Sequence, residues 1–543
     1  MFRHDHCFFI KRYHLVRGEI WESSNVNMLI RIPIIKIQLY LLVFFLTVSM
    51  LHSKDIWAES ILKDTEIIHW VSRGESLHKI AKRYLPLTEE LTIADLVEKI
   101  KLLSGIDGSL IRPGQWLRIP LVRSSPIAAK TVPKQIDFEA KGIYLNRYTM
   151  ATQKIQRLVE KLIAAGGNTV ILDGKDMSGM LSYPSKVRLA GEIGANGSPV
   201  TRDLAKLIHY LHERNIHVGM RLVLFYDQLL ATEKPELALL DSITAEPLVE
   251  NGKVAWVDPS HPTVQEYNLA IARELAEMGV DEIQFDYIRF PTKKNIEYAA
   301  FGPDGQSTPR DKIITDFLAQ AQNELAPYKV LLSIDVFGII AWGRSEDIEM
   351  TGQKIEDLAR HCDVVSPMIY PSHFHRPFQG IANPNDEPYL LVSETCERFA
   401  RFLTNSPATL RPWIQAFPLG TNNFDEDYVL EQLRALDGSR ARGWLLWSAG
   451  NKYEIVWKAL AQWEDVPLET TISASLQDID DLRLQIVDCG GKHFSPRGTE
   501  LFNLKSAFYN WEPARRVGVR RTTLQSPGPL GQDSLLHSTC GFD

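Results

Sequence analysis

Two aspartates interrupt runs that are otherwise apolar. Asp286 lies within GVDEIQFDYIRFP (279–291) and Asp335 within VLLSIDVFG (330–338). A carboxylate inside such a run is costly to bury unless it is paired or belongs to a solvated site. Hydrolysis of a glycosidic bond needs two carboxyls, one as acid and one as base or nucleophile. A separation of about 5 Å favours retention and about 6.5–9.5 Å inversion. Asp286 and Asp335 are the candidate catalytic pair. The plain alternatives are an Asp286–Arg289 pair that fixes a loop and an Asp335 satisfied by loop amides. Arg289 is expected to hold Asp286 ionised. Gln284, two residues before Asp286, shares its strand face and is expected to project into the same mouth.

Other groups could position a sugar. Asp173 and Asp176 flank Lys175 in LDGKD, and one of them is expected to pair with it. Tyr370, His373, Trp413, Gln415 and Trp447 recur at the ends of later apolar runs. For each aromatic taken singly, core packing is the ordinary role. The pair His209-x-x-His212 falls on a helix facing away from the strand tips. No His, Asp, Glu or Cys spacing demands a metal, and no cofactor is expected. Phosphate loops and serine nucleophile elbows are absent from the sequence.

Eight strand-like runs carry these residues: 142–147, 169–173, 217–225, 282–290, 330–337, 364–370, 411–417 and 443–447. Helical patterns alternate with them, including 152–165, 200–214, 263–278, 311–326 and 427–436. Most runs are continuously apolar, as parallel strands covered by helices should be. Eight such units over 141–463 predict an α/β fold, a (β/α)8 TIM barrel whose active site lies at the C-terminal strand ends. A doubly wound open sheet is the alternative, but no Gly-rich loop follows the first strand.

Before the barrel, 66–121 reads strand, helix, helix, strand, and is too small for a large core. Its opening HWVSRGESLHKIAKRY and closing IRPGQWLRIP resemble a LysM domain, a small α+β module. That resemblance implies binding of an N-acetylglucosamine polymer, peptidoglycan or chitin, through the loops around Gly74, Glu75 and Ser76 and around Ile106. A Pro- and Ser-containing linker, 122–140, joins the two. Residues 37–51 form an apolar run, short for a spanning helix and preceded by Arg31 and Lys36. We read 1–58 as an N-terminal extension with a signal peptide, Met28 being a candidate start and an uncleaved anchor the alternative. The chain is therefore expected to be exported to periplasm, envelope or medium, with membrane contact only through that anchor. Beyond 464 the pattern decays into a poorly ordered tail.

The set LDGKD, GVDEIQFDYIRFP, DVFG, VVSPMIYPSHF, RPWIQAF and GWLLWSAGNKY is similar to a bacterial glycosyl-hydrolase-like TIM-barrel family of unknown function. The resemblance implies a fold and a class, not a substrate. A more distant likeness is to family 18 chitinases. There Asp286 matches the last Asp of the fourth-strand motif, but Gln284 replaces an Asp and Ile288 falls where the proton-donating Glu would stand. By analogy with alpha-amylases, Asp286 would be the nucleophile and Asp335 the acid.

Composition agrees. With 543 residues, 45% hydrophobic and 23% charged, the chain is globular and multidomain. Its net charge of −7 gives no basic field for nucleic acid. Five cysteines are too few and scattered for a disulfide framework. An exported glycoside hydrolase is the leading reading. A non-catalytic polysaccharide-binding protein and another barrel activity, such as a lyase or transglycosidase, are its rivals.

Overall fold

The computed structural model describes residues 66–120, 122–123, 126–130, 134, 138–250, 252–292, 299–300 and 308–464. The expected signal segment, the candidate start at Met28 and the tail beyond 464 lie outside the described residues. Among those described, no helix is long and apolar enough to cross a membrane. The chain divides into two compact units at Pro126/Ile127.

In the first unit, β1 (Ile67–Trp70) pairs antiparallel with β2 (Trp116–Ile119). Between them run α1 (Leu77–Tyr84) and α2 (Ile93–Ser104). Leu77, Ile80, Ala81, Leu96, Ile100, Leu117 and Ile119 form a shared core. So small a core relies on its helix ends. Thr92 and Asp95 close a capping box on α2, and Gly105 ends that helix with φ 62°. Val122 packs into the same core, so the linker begins as part of this unit.

In the second unit, eight parallel strands close on themselves. They are β3 (Ala140–Leu145), β4 (Thr169–Lys175), β5 (His217–Val223), β6 (Glu282–Asp286), β7 (Leu331–Phe337), β8 (Val364–Ile369), β9 (Trp413–Gln415) and β10 (Gly443–Trp447). Each pairs with its neighbours in chain order, and β10 pairs back to β3. The fold is a (β/α)8 TIM barrel. Its outer helices include α3 (Lys154–Ala164), α4 (Leu204–His212), α5 (Pro262–Glu277), α6 (Arg310–Leu325), α7 (Pro388–Phe402), α8 (Glu426–Asp437) and α9 (Glu454–Glu464). In α3, Ile155, Leu158, Val159 and Leu162 are buried at helical spacing, which fixes the face that covers the barrel.

Two strands differ from expectation, for local reasons. β6 stops at Asp286 because Tyr287 takes the left-handed region at φ 51°. The seventh run is interrupted by Pro412, which lacks a ladder N–H. A short strand, Thr409–Leu410, precedes the break and β9 follows it, both against β8. Inside the barrel, inward-facing glycines make room for large neighbours. A Cβ on Gly219 would lie 2.4 Å from Ile171 Cδ1, and one on Gly142 2.8 Å from Thr169 Cβ.

Candidate active site

The C-terminal mouth of the barrel is organised around a residue that sequence reasoning passed over. Arg221, on β5, is 4% exposed. Its Nε donates to Asp286 Oδ2 at 2.8 Å, with Nη2 2.6 Å from the same oxygen. Its Nη1 donates to Asp173 Oδ1 at 2.8 Å. The other oxygen of Asp173 accepts from the Tyr144 hydroxyl at 2.5 Å. The guanidinium also lies 5.1 Å from the Trp447 ring and 5.7 Å from that of Tyr144. Burial opposes the charge of Arg221, but Asp286 and Asp173 outweigh it and hold its pKa well above the ordinary value. The expectation that Arg289 pairs with Asp286 is thus corrected: Arg221 takes that carboxylate, and Arg289, past the left-handed turn at Tyr287, lies among the rings of Phe337, Tyr287 and Trp256.

Asp335 has a different environment. Phe285 on β6 is paired with Ile334 on β7, so the next residues, Asp286 and Asp335, lie side by side at one level. Asp335 is 2% exposed. Its Oδ1 accepts from the indole N–H of Trp413 at 2.8 Å. No cation pairs with it among the described residues. Burial first, and then the charge of Asp286, push its carboxyl well above the usual range. One carboxyl is therefore salt-bridged and its neighbour favours the protonated form. Burial also raises Asp173. Gln353 braces the site from beneath, donating to the carbonyls of Asp335 and Ile288 and accepting from the Phe337 N–H.

The remaining expected site residues divide. Tyr370 stands in the inner aromatic cluster with Tyr144 and Trp413, and Trp447 packs against it. Trp447 stacks on Tyr144 at 4.0 Å and remains half-buried at the rim. Trp413 is sealed at 1% exposure and serves Asp335 through its indole. Gln284 does not reach the mouth. It is fully buried one layer below Asp286, and neither amide atom has a partner. Gln415 is spent on loop carbonyls, donating to Phe417 and Leu419 and accepting from Ser372 N–H. His373 is exposed, edge-on to Tyr370. Asp176 caps its own turn at Ser178 and Met180 and lies 3.3 Å from Arg147.

Lys175 pairs with neither Asp173 nor Asp176. Its ammonium is turned outward from the barrel to Asp227 at 2.8 Å and Asn268 at 2.7 Å, because the strand register shifts at Gly174, between Asp173 and Lys175, and breaks the alternation that would have put both on one face. His212 meets Asp281 and His209 meets Glu213, both at 2.9 Å. Among the described residues no group of three potential ligands could hold a metal.

In the small unit the expected sugar-contact residues have internal duties. Glu75 accepts from the Ser72 N–H at 2.8 Å and meets His69 Nε2 at 2.9 Å and Arg83 at 2.9 Å. The Ser72 amide, His69 and Arg83 hold its carboxyl down to about 2. Ser76 caps α1 through the Lys79 N–H. The carbonyl of Gly74 accepts from Lys79 Nζ, and Ile106 packs against the core. The exposed large groups are Trp70 and Trp116, edge-on at 4.3 Å, with Ile68, Leu102 and Leu110.

Arg221 was legible by the rule that singled out the aspartates, being a charge inside the apolar run HVGMRLVLF, whereas Tyr144, an uncharged ring in an apolar run, gave no such signal.

The barrel thus closes with carboxyls, the Arg221 guanidinium and aromatics at its mouth. Residues 142–453 match the family described as "Putative glycosyl hydrolase domain", and the chain belongs to it. Residues 69–120 match the LysM domain. No curated protein matches the chain. Among solved structures, a hypothetical protein from Ruminiclostridium thermocellum is 35% identical, with 36% of this chain and 97% of that chain covered and a TM-score of 0.33. The PgaB (BpsB) glycoside hydrolase domain from Bordetella bronchiseptica is 13% identical, covering 60% and 98%, with a TM-score of 0.41. The spore cortex-lytic enzyme SleL from Bacillus megaterium is 12% identical, covering 73% and 85%, with a TM-score of 0.36.

Proposed function

We propose that the chain is an exported glycoside hydrolase acting on a cell-envelope or extracellular polysaccharide. Its LysM module tethers it to an N-acetylglucosamine-containing polymer such as peptidoglycan. The observation that carries this reading is the asymmetry of the two side-by-side carboxyls, Asp286 paired to Arg221 and Asp335 without a cation. Asp335, protonated, delivers its proton to the glycosidic oxygen as the bond breaks. Asp286 acts on the other side, as base toward water or as nucleophile toward the anomeric carbon. Arg221 fixes Asp286, and Asp173 with Tyr144 fixes Arg221. Tyr370 and Trp447 offer ring surface and a hydroxyl to the sugar.

The test is turnover by the full chain on a panel of polysaccharides that includes peptidoglycan, scored as new reducing ends. Wild type releases sugar, whereas Asp286→Asn and Asp335→Asn, both folded, do not. Normal turnover by Asp286→Asn ends its assignment. A second reading, binding without catalysis, draws support from the depth of the pair, 5% and 2% exposed. Retention on peptidoglycan with no sugar released from any substrate would favour it. Export is tested separately, by fractionation and N-terminal sequencing of the mature chain.

A further inference from the structure

Arg289 is a buried cation, 8% exposed, with no ion pair among the described residues. Its guanidinium carbon lies 4.3 Å from the Phe337 ring, 4.9 Å from Tyr287 and 5.0 Å from Trp256. These three rings form a box at the ends of β6 and β7. Its one hydrogen bond runs from Nη1 to the carbonyl of Phe290, at 3.0 Å. Among the described residues its Nε and Nη2 have no hydrogen-bond partner. The nearest candidate counter-ions are engaged elsewhere: Asp286 with Arg221, and Glu250 with the indole of Trp256. Burial lowers the pKa of Arg289, so its charge is held at a cost that no protein anion offsets fully.

The backbone adds a second sign. Tyr287 is a non-glycine residue at φ 51°, a strained conformation that persists where its surroundings impose it. Past that turn Ile288 is completely buried, and Arg289 lies against Phe337, two residues after Asp335 on β7.

We propose that Arg289 is a specificity-determining residue whose free N–H groups bind a carboxylate carried by the sugar in the site, making the substrate an acidic polysaccharide. This rests on the hydrolase reading only for the word substrate; recognition of the acid is a matter of binding. A guanidinium with Nε and Nη2 free presents the fork that matches a carboxylate. The shared chemistry is a sugar carboxylate, and it has two sources: the lactyl acid of a muramic residue and the ring acid of a uronic residue.

The experiment measures binding, so a failure of catalysis does not confuse it. The full chain is titrated calorimetrically with two oligosaccharide pairs, a muramic-acid-containing glycan fragment and an oligouronate. Each is compared with its carboxyl-reduced form. The expected result is that one pair shows an acid form bound about 10- to 100-fold more tightly than its reduced form. The pair that does so names the source. Arg289→Gln removes the preference while leaving affinity for the reduced form unchanged, and Arg289→Lys keeps part of it. If Arg289→Gln fails to fold, the wild-type ratios and Arg289→Lys still decide. Equal affinity for acid and reduced forms in both pairs, or no binding of either acid, overturns the proposal. So does an Arg289→Gln variant that retains the preference.

Discussion

The two ends of the barrel hold the same kinds of charged residue in opposite proportion. At the N-terminal end, Glu282 is fully buried and one oxygen receives both His217, at 2.9 Å, and Arg411, at 2.6 Å. Burial works against its charge, but Arg411 and His217 outweigh it and hold the carboxyl well below its ordinary range. At the C-terminal end, Asp173 and Asp286 share the guanidinium of Arg221, and Asp335 pairs with no cation among the described residues. The first arrangement satisfies a charge and plugs the bottom of the barrel. The second leaves one carboxyl to keep a proton. The ratio of partners, not the residue type, separates a structural carboxylate from a candidate acid.

The largest expected effect that would break this comparison is at Asp335. Asp335→Asn keeps an oxygen for the Trp413 N–H and should change stability by no more than about 1 kcal/mol. It should also lower turnover by about 10²- to 10⁴-fold. Steady-state kinetics beside thermal unfolding checks both halves. Glu282→Gln should do the reverse. It leaves Arg411 buried without its anion, costing about 3–5 kcal/mol of stability, while turnover per folded molecule stays near wild type. If Asp335→Asn unfolds the barrel and Glu282→Gln does not, the two ends have been assigned the wrong way round.

A smaller effect is the dependence on pH. Asp335 has its folded pKa raised, so its contribution to stability is full below the unfolded value and is lost as pH rises through the folded one. Glu282 has its folded pKa lowered, so its contribution is present above the unfolded value and is lost as pH falls toward the folded one. Unfolding curves across pH should therefore lose the decline on rising pH in Asp335→Asn and the decline on falling pH in Glu282→Gln. The smallest effect lies between the two ends. Gln284 has two buried amide atoms without partners, so Gln284→Met should raise stability, by about 1 kcal/mol. A loss of similar size would show that the amide holds ordered water there.

The barrel was legible because its strands are continuous apolar runs, and a charge inside such a run is conspicuous. That signal picked out Asp286 and Asp335 and was equally present at Arg221. What it lacked was the partner of each charge. Arg289 is three residues from Asp286 and Arg221 is 65, yet it is Arg221 on the neighbouring strand that reaches the carboxylate. The left-handed turn at Tyr287 was unreadable, because tyrosine carries no preference for that conformation. Lys175 misled for the reverse reason: closeness in sequence suggested a pair with Asp173, and the register shift at Gly174 turns the two side chains to opposite faces. In the LysM module the motif located the loops. It did not reveal that the side chains of Glu75 and Ser76 hold the fold while Trp70 and Trp116 face solvent.

The central claim is that Asp335 holds a proton because it is buried beside the Asp286 charge without a cation of its own. Carbon-detected NMR titration of aspartate carboxyls, with Asp335→Asn used for assignment, measures this without any substrate. Asp335 should titrate well above the ordinary aspartate value of about 3.9, and its midpoint should fall in Asp286→Asn. An Asp335 that titrates in the ordinary range, or is unmoved by Asp286→Asn, would contradict it.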